Sequence, residues 1–290
     1  MTAGSPRRST TRLPEPTLAQ GLSTRWRSIR RALAKNPIML AGFIIFIFIF
    51  LSAILAPVIT VHDPVRTNIE ERLQAPSLDH WFGTDHLGID VYARTMYGGQ
   101  VSMLVGVLVA TLVIGGGLVL GLIAGYNKRL DGPLMRVADA IMAFPTLLLA
   151  LAVVATWGGN IQNIVLVLAV SGTPGMARLV RGQVLSLREQ QFVDGARAIG
   201  ATTPRIMFRH IAPNTFAPMM IMASLVFAGS VVAEAGLAFL GVGLPTFTPS
   251  WGNIIARGRD FLGSSPWISF FPGFILTLMV LAINVIGDGL

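Results

Sequence analysis

The 290-residue sequence contains no cysteine. Disulfides and thiolate metal sites are excluded, although exposure outside the cytoplasm is not. Charge is also scarce, at 12% of residues. No Gly-x-x-x-x-Gly-Lys-Ser/Thr phosphate loop occurs, so the chain has no such route to binding ATP. The four histidines, His62, His80, His86 and His210, form neither His-x-x-x-His nor His-Glu-x-x-His. Three of them fall in one polar segment and read as solvated loop histidines, so no metal site is expected. No internal repeat and no facing set of catalytic groups is evident. Nothing here predicts an enzyme or a bound cofactor.

What is abundant is apolar. Hydrophobic residues make up 53% of the chain, and the mean hydropathy is +0.66. A bilayer span needs about 20 mainly apolar residues. Six stretches qualify: Pro37–Val58, Val101–Gly125, Leu134–Thr156, Ile161–Ala177, Thr215–Gly241 and Ile268–Ile286. The fourth should kink at Gly172-Thr173-Pro174-Gly175, because proline removes a helical hydrogen bond. Gly115-Gly116-Gly117 should let a second helix approach the second span closely.

The formal charge of +8 could suggest nucleic acid, but its placement suggests a membrane. An even number of spans puts both ends on one side. Seventeen Lys and Arg fall on that side and five on the other. Such asymmetry predicts cytoplasmic termini and no nucleic-acid partner. Trp81, Trp157, Trp251 and Trp267 then lie outside or at the outer interface. Residues 1–36 form a basic tail, in which Leu22, Trp26, Ile29 and Leu33 space out a helix for the anionic inner leaflet. The polar start is too long for a cleaved signal peptide.

Charges inside apolar runs stand out. Glu234 falls in the outer half of the fifth span, where a carboxylate costs about 2–3 kcal/mol unless it faces protein or water. It should face the bundle interior, either lining the path or supporting its outer gate, or else bonding a neighbouring span. Asp139 should pair with Arg136, one helical turn away.

The longest polar run between two strongly apolar segments in the second half is Glu189–Asn214. A helix fits Gln190–Ile199, with Phe192, Ala196 and Ile199 on one face. Gly200 should end it in a left-handed conformation. Thr203-Pro204 should restart a helix, with the hydroxyl as cap and proline at the first helical position.

These residues resemble the cytoplasmic "EAA" loop of ABC importer permeases. Asp194-Gly195-Ala196, Gly200 and Ala212-Pro213 keep its spacing, its glycine and its proline. Asp194 stands for Glu, Gly195 for Ala, His210 for Ile and Ala212 for Leu. Gly83-Thr84-Asp85, Leu87-Gly88 and Asp90 are similar to the GTD-x-LGRD signature of oligopeptide/dipeptide permeases, with Ile89 in place of Arg. Asp139 with Ala143-Phe144-Pro145, Arg178–Val184, Ala233–Leu237 with Phe239-Leu240-Gly241, Pro249-Ser250-Trp251-Gly252 and Gly287-Asp288-Gly289 extend the likeness. The N-terminal tail and the GTD segment fit the C-type permease.

The resemblance implies an all-α integral membrane protein of the type I ABC importer permease fold, with six transmembrane helices and both termini cytoplasmic. It divides the chain into a tail (1–36), a first helix with its outer loop (37–100), and a transmembrane domain (101–290) that carries a coupling loop at 182–213. It implies ATPase coupling through Phe192, Asp194, Gly195, Ala196, Arg197, Gly200 and Pro213. The implied partners are a second permease, two ATPase subunits or domains that bind the ATP, an extracytoplasmic solute-binding protein, a peptide substrate and the bilayer. A permease of the same family for nickel or another non-peptide solute is the alternative. An ATP-independent secondary transporter is the weaker one, since inverted repeats and midplane carboxylates are missing.

Overall fold

The computed structural model describes residues 36–245 and 247–289. The basic helix expected from Leu22 lies outside them. The regular structure among the described residues is helical, apart from one isolated bridge between Thr84 and Asp90. The helices are α1 (Pro37–Ile54), α2 (Ala56–Ile59), α3 (Val91–Tyr126), α4 (Lys128–Met142), α5 (Thr146–Trp157), α6 (Ile161–Leu187), α7 (Gln191–Ala198), α8 (Thr203–Arg205), α9 (Phe216–Phe239), α10 (Trp251–Gly258) and α11 (Trp267–Asp288). Five helical segments are long and apolar enough to cross a membrane, and α4 with α5 makes a sixth if that bent pair is one span.

Local chemistry sets the ends. Asn36 caps α1, with Pro37 at its first position, where the missing N–H costs nothing. Asp90 Oδ1 caps α3 by accepting from Ala93 N at 2.6 Å. Asn160 caps α6, accepting from Asn163 N at 2.8 Å. Ser250 caps α10, accepting from Asn253 N at 3.1 Å.

Packing between apolar helices in lipid rests on close backbone approach rather than on water exclusion. The most extensive contact joins α3 to α6. A side chain at Gly117, Gly121 or Gly125 would come within 3.0 Å of Met176, Val180 or Val184. Of the triple glycine, Gly116 faces Thr173 and Gly115 faces open space. The ridge thus runs at four-residue spacing from Gly117, down one side of α3. On the other side Gly106 admits Phe227 and Val231 of α9. One buried cluster joins α3, α5, α6, α7 and α9. A second joins α1, α3, α9, α10 and α11. Exposed Ile38, Ile44, Phe48, Phe270 and Phe274 on α1 and α11 form an apolar exterior.

Four expectations need correction. The third span, Leu134–Thr156, is not one straight helix: α4 and α5 meet at 79° across the break before Thr146. Pro145 offers no N–H and disfavours helical geometry at Phe144. The second span starts at Val91, ten residues before the expected Val101. Within the added turns Arg94 is buried beside Asp85 at 3.4 Å. The fourth helix runs through Pro174 to Leu187 instead of stopping at Ala177, since neighbouring groups can absorb a proline in a packed membrane helix. Finally, Asp139 pairs with Arg178 of α6, not with Arg136.

Candidate functional site

Between α6 and α9 the chain makes a compact excursion. α7 begins after Gln190, whose extended backbone turns the chain out of α6. It ends within one residue of the expected position. Gly200 is left-handed at φ +80°. The Ala201 N–H reaches the Ala196 carbonyl at 3.0 Å and the Gly200 N–H reaches Arg197 at 2.9 Å, which closes the C-terminal turn as a Schellman motif. The restart is one residue off expectation: Thr202 is the cap position, it makes no side-chain cap bond, and Thr203 is the first helical residue. A π-helical turn, Ile206–Ile211, and a 3-10 turn, Ala212–Thr215, then lead into α9.

The face of α7 differs from expectation. Val193 and Ala196 are buried against the bundle, together with Ile206 and Ile211. Phe192 is 44% exposed and Ile199 is 86% exposed. At about 100° per residue the inward stripe is centred between Val193 and Ala196, and Phe192 and Ile199 both lie about 70–90° to one side of it. Asp194, Gly195, Arg197, Gly200 and Pro213 are also exposed. Arg197 Nη1 donates to Asp194 Oδ1 at 2.9 Å. A hydrogen bond with Tyr126, then the Asp194 pair, push the Arg197 guanidinium further above its usual range. Tyr126, Lys128, Arg188, Glu189, Asp194 and Arg197 surround a cavity of about 400 Å³.

The base under α7 is braced. Arg181 grips Asp131 of α4 with two donors, one of them Nη2 to Oδ2 at 2.7 Å. Arg178 binds Asp139, also on α4. Arg188 Nη1 donates to the Gly125 carbonyl at the end of α3 at 3.0 Å. These contacts tie the end of α6, from which α7 departs, to α4 and to the end of α3.

At the other end of α9, Glu234 has no exposed surface. It accepts from Ser250 Oγ at 2.8 Å and from Ser102 Oγ at 3.2 Å. Ser102 Oγ accepts in turn from Trp251 N at 3.2 Å. The carboxylate thus ties α9 to α3 and to the cap of α10. Trp251 Nε1 donates to the Thr95 carbonyl at 2.9 Å. Asn253 Nδ2 reaches the Thr248 carbonyl at 3.0 Å. Sequence reasoning singled out Glu234 but missed Ser102, because a small hydroxyl inside an apolar helix carries no signal of its own, and missed the Thr95 carbonyl, which any residue type could supply.

The GTD segment folds as a tight loop beside this knot. Asp85 Oδ1 accepts from Leu87 N at 2.8 Å and Ile89 N at 3.0 Å. Gly83 and Gly88 are left-handed, and a side chain at Gly88 would strike the Asn68 backbone. The three histidines before α3 are not uniformly solvated as expected: His80 is buried, His86 is half-buried, and His62 is exposed.

Residues 117–290 match the family described as the binding-protein-dependent transport system inner membrane component. Residues 24–76 match the N-terminal TM domain of oligopeptide transport permease C. The chain is 43% identical to a dipeptide transport system permease protein of Alkalihalophilus pseudofirmus, over 91% of this chain and 88% of that one. It is 36% identical to an oligopeptide transport system permease protein of Bacillus subtilis, over 91% and 87%. The fold matches a chain of the MetNI methionine ABC transporter in an inward-facing conformation, with a TM-score of 0.57, 18% identity, and 67% of this chain and 93% of that one covered.

Proposed function

This chain belongs to the binding-protein-dependent transport system inner membrane components, and from that membership we propose that it is one permease subunit of an ATP-driven peptide importer. A second, homologous permease completes the translocation path. Two ATPase subunits or domains bind and hydrolyse the ATP, and an extracytoplasmic binding protein delivers the peptide. The names of the relatives, dipeptide and oligopeptide permeases, support the cargo class. The excess of Lys and Arg beside α6 to α9 and in the tail supports cytoplasmic termini, with α7 on the same side.

The observation that carries the coupling role is the two-sidedness of α7. Val193 and Ala196 anchor it, while Phe192, Ile199, Asp194, Gly195 and Arg197 remain exposed. An exposed apolar pair rimmed by charge, on a braced helix, suits a docking contact. Closure of the ATPases would move α7 as a lever. The Arg181–Asp131 and Arg188–Gly125 contacts would pass the motion to α4 and α3. Two bundle arrangements, biased by ATP and by cargo, then alternate access. Glu234 supports the outer gate in this scheme by holding α10 to α3 and α9.

The test is peptide uptake and ATP hydrolysis by the reconstituted complex. Gly200→Trp and Asp194→Arg should each lower uptake per ATP by about tenfold or more, a typical coupling magnitude, while membrane insertion persists. Normal coupled uptake in both variants would remove α7 from the mechanism.

A further inference from the structure

Three segments distant in sequence converge at the head of α3. His62 follows α2, His80 sits in the loop behind it, and Asp90 caps α3. The backbone at His80 is pinned: its N–H donates to Ser77 Oγ at 3.1 Å and its carbonyl accepts from Ser77 N at 2.8 Å. His80 Nδ1 lies 2.8 Å from Asp90 Oδ2, and His62 Nδ1 lies 3.7 Å from the same oxygen. The two imidazoles face each other with centroids 4.7 Å apart. One ligand atom from each of the three residues falls within a 4.8 Å cluster.

We propose that His62, His80 and Asp90 bind a divalent transition-metal ion, with zinc the best-suited ion. Imidazole and carboxylate are the donors such ions take in a chain without thiols. Ligand atoms around tetrahedral zinc, bound at about 2.0–2.1 Å, lie roughly 3.3 Å apart. The two separations from Asp90 Oδ2, 2.8 Å and 3.7 Å, straddle that value, and the two imidazole ligand atoms lie within 4.8 Å of each other, so the ion would draw the histidines together.

The supporting contacts are also present. Asp90 uses Oδ1 to accept from Ala93 N at 2.6 Å, which leaves Oδ2 for the ion. Glu71 Oε2 lies 3.5 Å from His80 Nε2. With Nδ1 on a metal, Nε2 would carry the ring proton and Glu71 is placed to receive it, the usual support for a ligating histidine. Three protein ligands leave a fourth position open. His62, His80 and Asp90 all line one cavity of about 680 Å³, together with Glu71, Trp81 and Tyr92. Metal binding would clamp the end of the first span to the start of α3.

The test uses the full chain with its co-purifying subunits in lipid nanodiscs, stripped of metal. Zinc is titrated by calorimetry, and cobalt by its visible absorption. Wild type should show a site that His62→Asn weakens by about a hundredfold and Glu71→Gln by about tenfold. Both side chains are 43% exposed, so neither variant threatens folding. His86→Asn and His210→Asn should leave affinity unchanged. Equal zinc affinity in wild type and His62→Asn would overturn the site, as would wild-type cobalt spectra without a ligand-field band sensitive to His62. Either result would leave only a hydrogen-bonded cluster.

Discussion

α7 and α10 are both eight-residue helices set between spans, yet they are held in opposite ways. α10 is a wedge. Trp251, Gly252, Asn253, Ile254 and Gly258 are buried, its first turn is capped by Ser250, and its tryptophan is hydrogen-bonded to α3. Gly252 packs so close that a side chain there would come within 2.5 Å of Ala235 Cα. α7 is a handle. Only Val193 and Ala196 are buried, no side chain caps its start, and Gly195 faces open space. The lesson is that helix length says little about role. The share of each face that is satisfied inside the chain separates a structural wedge from a surface left open.

The sharpest way to break this contrast is a paired truncation. Trp251→Ala removes a fully buried ring and its bond to Thr95, and should cost about 3–5 kcal/mol. Phe192→Ala should leave stability within about 0.5 kcal/mol, as surface changes do, and reduce coupled uptake instead. Thermal unfolding in detergent measures both. A comparable loss of stability in both variants would erase the distinction between wedge and handle.

A smaller effect is expected at the carboxylate that holds the wedge. Glu234→Ala strands the Ser102 and Ser250 hydroxyls, and should cost about 1–3 kcal/mol. Glu234→Gln keeps an acceptor for one of them and should recover part of that loss. If Glu234→Ala lowers transport with unchanged stability, the carboxylate acts on the path rather than on the α10 anchor.

The smallest effect is also the most discriminating, because its sign differs between the two helices. Gly195→Ala meets nothing and should strengthen α7 by up to about 1 kcal/mol through helix propensity. Gly252→Ala must displace the α9 backbone and should destabilise. Matching signs in a melting experiment would mean that one of the two faces is misassigned.

Much of the architecture was legible in the residues. The apolar runs gave the spans in order, because lipid demands apolar length. α7 was located to within a residue at each end, because Gly200 is a strong stop signal. The orientation of α7 was read less well. The pattern Phe192, Ala196, Ile199 is helical, but periodicity cannot say which flank of an apolar arc meets the bundle. Asp139 shows the same gap. Its local partner Arg136 was one turn away, while the partner it takes, Arg178, lies 39 residues on and across a helix interface. The bend between α4 and α5 had its cause in plain view at Pro145, but the run of apolar residues on both sides hid it.

The sequence by itself determined the membrane character, the span order, the charge asymmetry and the short helix Gln191–Ala198 with its glycine stop. These follow from composition and from contacts within a few residues. Only the tertiary structure decided that Gly117, Gly121 and Gly125 seat α6, that Glu234 joins α3 to α10, and that His62 and His80 meet at Asp90. Those facts depend on which helices become neighbours. Neighbour choice is set by shape and hydrogen-bond matching across the whole bundle, a property that no local stretch of residues carries.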